Sequence, residues 1–150
     1  MTTNAITQLE RDLLTLLKDE YSFYQSLYIL LDKQRDLIRF DKDDHLLDLY
    51  AEIERCQRRI KDSEEKLNVL CDQNKQMFRV ASAHPEIKKT INCIVTLVKK
   101  NITLVSENEA YVLDRHQRIK HELDDLRTSD KIMQYLNDSV TTAQFVDGKQ

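Results

Sequence analysis

Residues 46–81 read LLDLYAEIERCQRRIKDSEEKLNVLCDQNKQMFRVA. Along them Leu46, Leu49, Ile53, Cys56, Ile60, Ser63, Leu67, Leu70, Asn74, Met77 and Ala81 follow one another at alternating steps of three and four. A strand would need a period of two, so this is the seam of a long amphipathic helix. Only Ser63 and Asn74 are polar on it. Asn74 falls at an a-type position, where it either fixes register as a buried amide or faces water near a frayed end.

Working outward, a second seam begins at AHPEIKK (83–89). Pro85 suits a first helical position, where its missing N–H costs nothing, and Glu86 favours the positive end of the helix dipole. The expected core line is Ile87, Ile91, Ile94, Val98, Ile102, Val105, Glu109, Val112, His116, Ile119, Leu123 and Leu126. Its repeated step of four, from Ile94 through Val98 to Ile102, is a stutter. Glu109 and His116 on this line are either a buried polar pair or long side chains on a thinly covered surface.

The stretch before residue 41 carries two adjacent seams. One is Ile6, Leu9, Leu13, Leu16, Glu20, Phe23, Leu27, Leu30, Gln34 and Leu37; the other is Leu14, Leu17, Tyr21, Tyr24, Tyr28, Leu31 and Ile38. So wide an apolar face can touch two neighbours, which makes this the central helix. YSFYQSLYILL (21–31) holds four of the ten aromatic residues. Most of it is core. A slender bundle has difficulty covering so many rings, so Tyr21, Tyr24 and Tyr28 are candidate lining for a partner-binding groove.

Composition agrees. One Gly, one Pro, no Trp and 33% charged residues suit long helices and not an α/β enzyme with phosphate loops. The expected fold is all-α: an elongated antiparallel three-helix bundle or coiled coil over 1–127, with helices at about 3–40, 43–83 and 86–127. Each helix would be about 60 Å long. Residues 128–150, TSDKIMQYLNDSVTTAQFVDGKQ, are expected as a flexible tail that restarts a short amphipathic piece. Met133, Tyr135, Leu136, Val140, Phe145 and Val146 give that tail an apolar content that either folds upon a partner or folds back over the bundle.

Chemistry was sought and not found. RFDKDDHLLDLY (39–50) concentrates aspartates beside His45, but as a calcium loop it puts His45 and Leu46 where an oxygen ligand and a Gly are wanted. The residues three before His45, His84, His116 and His121 are Lys42, Ala81, Leu113 and Arg118, so no Glu-x-x-His pair for a di-iron bundle exists. The stretch is a corner, with Asp41 as expected N-cap of the second helix. Cys56, Cys71 and Cys93 form no CxxC and fit reduced thiols in a cytosol. There is no nucleophile–base set, so no catalytic residue, cofactor or metal is assigned. A formal charge of −3 gives no reason to expect nucleic acid, and no apolar run suggests a signal peptide or membrane insertion.

LERDLLTLLKDEYSFYQSLYILLDKQRDLIRFDKDDHLLDLYAEIERCQRRI (9–60), ENEAYVL (107–113) and QYLNDSV…DGK in the tail together resemble the FlgN-type flagellar type III export chaperones. The resemblance implies a cytoplasmic, non-enzymatic chaperone. It would bind the terminal helical segments of flagellar hook–filament junction subunits and deliver them to the type III export gate. The same resemblance gives the tail a role in client binding and Tyr135 a role in docking at the gate. The competing expectation is a structural coiled-coil stalk or assembly protein with no client, which should carry few surplus apolar side chains.

Overall fold

The computed structural model describes the backbone of residues 2–148 and the side chains of residues 3–137. Its regular structure is helical throughout: α1 (Thr2–Arg39), a 3-10 turn (Asp43–His45), α2 (Leu46–Gln73), α3 (Lys75–Ala81) and α4 (Pro85–Gly148). The chain divides into two compact units, Met1–Tyr111 and Val112–Gln150. Among the described residues no helix is long and apolar enough to cross a membrane.

In the first unit α1 is the central element, as its two seams require. Leu9, Leu13, Leu17, Leu27, Leu31, Leu37 and Ile38 are buried, and the tyrosines of the second seam are half-buried. Two clusters form the core. Near one end Leu37, Leu31 and Leu27 meet Leu49, Ile53, Cys56 and Ile60 of α2 and Leu104 of α4. Near the other, Leu13 and Leu17 meet Ile87 and Ile94 of α4, with Leu67, Leu70 and Phe78 packed alongside. Leu37 lies with Leu49 and Leu13 with Leu70, so α1 and α2 are antiparallel. Every member of the seam over 46–81 is buried or half-buried. Each fully buried Leu or Ile contributes on the order of 1.5–3 kcal/mol relative to exposure.

The path of α4 departs from the expected line after Val98. Ile102 is 60% exposed, and Val105, Glu109, Val112 and His116 are exposed as well. The core line instead steps by threes from Val98 to Asn101 and Leu104, then by four to Asn108. Two asparagines occupy core positions because their amides reach α1. The Nδ2 of Asn101 donates to the carbonyl of Tyr24 at 3.2 Å. That of Asn108 donates to the carbonyl of Leu31 at 3.0 Å and to Oε1 of Gln34 at 2.9 Å. Both intervals, Asn101 to Asn108 and Tyr24 to Leu31, are one heptad in the same direction, so α1 and α4 run parallel here. Isoleucine at 102 could make no such bond.

The connections also differ from expectation. Asp41 does not cap the second helix; it ends the first. At φ 56° it is left-handed. Its N–H donates to Ile38 O at 3.3 Å, and that of Lys42 to Leu37 O at 2.9 Å. This is the paired-bond ending usually built on Gly, and Asp is one of the few residues that tolerates the conformation. His45 then takes the N-cap position of α2 without a side-chain bond, and Asp43, Asp44 and Asp48 sit near the positive end.

The expected helix over 43–83 is interrupted at Asn74. Its side chain donates to Leu70 O at 2.9 Å, the carbonyl its own N–H would take in a continuous helix. That N–H turns to Cys71 O instead, at 3.2 Å. Side-chain competition for a backbone acceptor is the physical cause of the break. At the next junction Pro85 opens α4 as expected. His84 caps it, its Nδ1 accepting from the N–H of Glu86 at 3.2 Å.

In the second unit the helix is continuous across 127 and 128, so no backbone break marks the expected start of a tail. From His116 to Asn137 every described side chain is exposed. A local ion pair one turn apart supports it, Arg118 with Asp114 at 3.5 Å, and His121 lies 3.6 Å from Asp125, an ion pair when the imidazole is protonated.

The asparagine bonds give this description a direct test. Asn108→Ala removes two donated bonds and leaves the Gln34 amide oxygen buried without its partner. A loss of about 1–3 kcal/mol in urea denaturation is expected. Asn92→Ala, on the exposed side of the same helix, should change stability by less than about 0.5 kcal/mol.

Candidate functional site

Among the described residues of the second unit, the apolar side chains of α4 stand exposed. Val112, Leu113, Ile119, Leu123, Leu126, Ile132, Met133, Tyr135 and Leu136 are each at least 43% exposed. Val112, Ile119, Leu126 and Met133 are spaced seven apart and form one line that drifts by about 20° per heptad. In an ordinary soluble helix such a line would be the buried one.

The expected binding residues divide on this surface. Met133 continues the heptad line, and Leu136 and Ile132 flank it on one side. Tyr135, 73% exposed, stands about 160° around the helix from Met133. One flat partner cannot take both. Val140, Phe145 and Val146 lie outside the residues whose side chains are described.

The three candidate groove tyrosines belong to the first unit and are half-buried. Tyr28 packs against the cluster around Leu31, and Tyr24 against both clusters. They are therefore mainly core, and Tyr21 also lines a surface groove along the start of α4. Tyr24 has a polar role that the pattern did not reveal. Its hydroxyl donates to Oε1 of Glu64 on α2 at 3.1 Å. Burial first, then this bond and the charges of Glu64 and Glu20, raise the tyrosine pKa well above its usual range.

Glu20 stands in the α1 seam and is only 7% exposed. Burial first, and the negative charge of Glu64 second, hold its carboxyl above the ordinary carboxylate range. Glu20, Tyr24 and Glu64 thus join α1 to α2 through a polar cluster with more negative charge than donors. The folded chain binds the Glu20 proton more tightly than the unfolded chain does. Ionised Glu20 therefore opposes folding at neutral pH, and the opposition is relieved as pH falls through the raised pKa.

Among the described residues no group of three His, Cys, Asp or Glu is placed to hold a metal ion. Cys56 is buried and its Sγ donates to the carbonyl of Phe23 at 3.2 Å. Burial pushes the thiol pKa of Cys56 and of Cys71 upward, away from nucleophilic thiolate. Cys93 is exposed.

Glu20→Gln should raise stability at about pH 7.5, with the advantage over wild type shrinking as the pH is lowered toward about 5. Paired urea denaturation series read this difference. An advantage that is the same at both pH values would show that Glu20 is not the group being relieved.

No known family's sequence model, no curated protein and no solved structure matches the chain.

Proposed function

We propose that the chain is a cytoplasmic, non-enzymatic export chaperone of FlgN type. Its task is to hold the terminal helical segments of flagellar hook–filament junction subunits and bring them to the type III export gate. The observation that carries the proposal is the exposed heptad line Val112–Ile119–Leu126–Met133 on a continuous helix. Such a line is what an amphipathic client helix needs for side-by-side packing, and it leaves the client's own apolar face covered during transit.

The disposition of Tyr135 adds a division of labour. A client seated on the Met133 side leaves Tyr135 facing away, free to meet the gate while the client is still bound. A client-free stalk would need another occupant for these exposed apolar side chains. It would use the same line to pair with copies of itself.

Truncation after Arg127 removes no buried side chain among the described residues, so the melting temperature should stay nearly unchanged. Capture of a junction-subunit terminal peptide, read by calorimetry, should weaken substantially. Tyr135→Ala should retain that peptide and lose about 1–3 kcal/mol of binding to the isolated export-gate domain. If the truncated chain captures the peptide as well as the intact one, residues 128–150 are not part of the site. Self-association of the intact chain through Leu126 and Met133, with no peptide capture, would favour the stalk.

A further inference from the structure

A second surface lies within the first unit, in the groove along the start of α4. It is open to solvent and offers about 680 Å3. Half-buried Tyr21 and Leu97 line it together with the exposed Ala83, Pro85, Asn92, Cys93 and Thr96. Its rim is basic, formed by Lys88, Lys89 and Lys100. The groove between α1 and α2 has the opposite character, with Asp12, Asp62 and Glu65 against Lys66.

The sequence sharpens the contrast. Residues 73–106 hold six basic side chains (Lys75, Arg79, Lys88, Lys89, Lys99, Lys100) and one acidic (Glu86), a charge of +5 inside a chain of −3. Of the ion pairs among the described residues, none engages Lys88, Lys89 or Lys100. Lys88 and Lys89 also stand in the first turns of α4, where the helix dipole disfavours cations. Adjacent cations at the wrong end of a helix are a local conflict that an anionic partner would relieve.

We propose that this groove seats an acidic amphipathic helix of a partner protein, packed along the start of α4 beside Tyr21. From Ala83 to Lys100 the channel follows the α4 axis for about 25 Å, the length of four to five helical turns. The small exposed side chains Ala83, Cys93 and Thr96 allow a helix to approach α4 closely, while the lysines meet carboxylates on its flanks. A polyphosphate would leave the apolar lining at Tyr21 and Leu97 unused, which favours an amphipathic helix as occupant. This site is separate from the heptad line of the second unit and does not depend on what that line binds.

The test uses the full-length chain and a fluorescein-labelled synthetic peptide of about 20 residues, with a leucine seam and glutamate flanks, beside a twin with lysine flanks. Anisotropy should show the acidic peptide binding at least roughly tenfold more tightly than its twin, with an affinity that falls as salt rises. Lys89→Glu/Lys100→Glu should weaken it by a further factor of about ten, and so should a bulky maleimide on Cys93. Should the reversal unfold the chain, Lys89→Gln/Lys100→Gln should show the same direction. Ile119→Ser/Leu126→Ser/Met133→Ser should leave binding intact. Equal binding of the two peptides, or binding indifferent to the lysines, would overturn the proposal. So would tighter binding of a DNA duplex or of phosphatidylglycerol vesicles, lysine-dependent self-association in sedimentation, or loss of binding only in the serine variant.

Discussion

The arrangement of the first unit depends on hydrogen bonds donated into the backbone of α1. The carbonyls of Tyr24 and Leu31 accept from Asn101 and Asn108 of α4, and that of Phe23 accepts from the thiol of Cys56 on α2. Leucine and isoleucine seams are permissive about axial position, because one layer packs much like the next. The asparagines are not. A slip of α4 by one heptad parts Asn108 from Oε1 of Gln34, and a buried group left without its partner costs about 1–3 kcal/mol. Their own carbonyl oxygens, Asn101 Oδ1 and Asn108 Oδ1, are buried without partners, so these residues add less to stability than to register.

That constraint explains where the pattern of apolar residues succeeded and where it failed. The seams of α1 and α2 were legible because leucine, isoleucine and tyrosine at steps of three and four have few other ways to be buried. The start of α4 at Pro85 was legible for an equally local reason. Beyond Val98 the pattern misled, because polar asparagines took the core positions and isoleucine at 102 was turned outward. Only the equality of the two heptad spacings, in Asn101 and Asn108, could have hinted at this. Asn74 and Asp41 were read by type but not by role. One uses its side chain to break a helix where the seam continues unbroken, and the other closes a helix where Gly is the usual choice.

The candidate surfaces were legible in part. Met133, Tyr135 and Leu136 were marked by being apolar in a terminal segment, and they are exposed. Their division between two sides of α4 follows from helical geometry and needed the continuous helix to be seen. Upstream, Val112, Ile119, Leu123 and Leu126 were read as core and are exposed instead. The two units thus invert each other: the first buries amides, and the second exposes a hydrophobic heptad line. Under the proposed function, that exposed line is the surface a client helix would cover.

The register account is tested most directly by hydrogen exchange at the asparagine side chains, followed by NMR on the intact chain labelled with 15N-asparagine. The carboxamide protons of Asn101 and Asn108 should exchange with the slow class of core backbone amides, and Asn108 should show protection at both protons because it donates twice. Asn92, exposed on the same helix, should exchange freely. If Asn101 and Asn108 exchange as fast as Asn92, their amides do not hold α1, and something other than these bonds sets the alignment of α1 and α4.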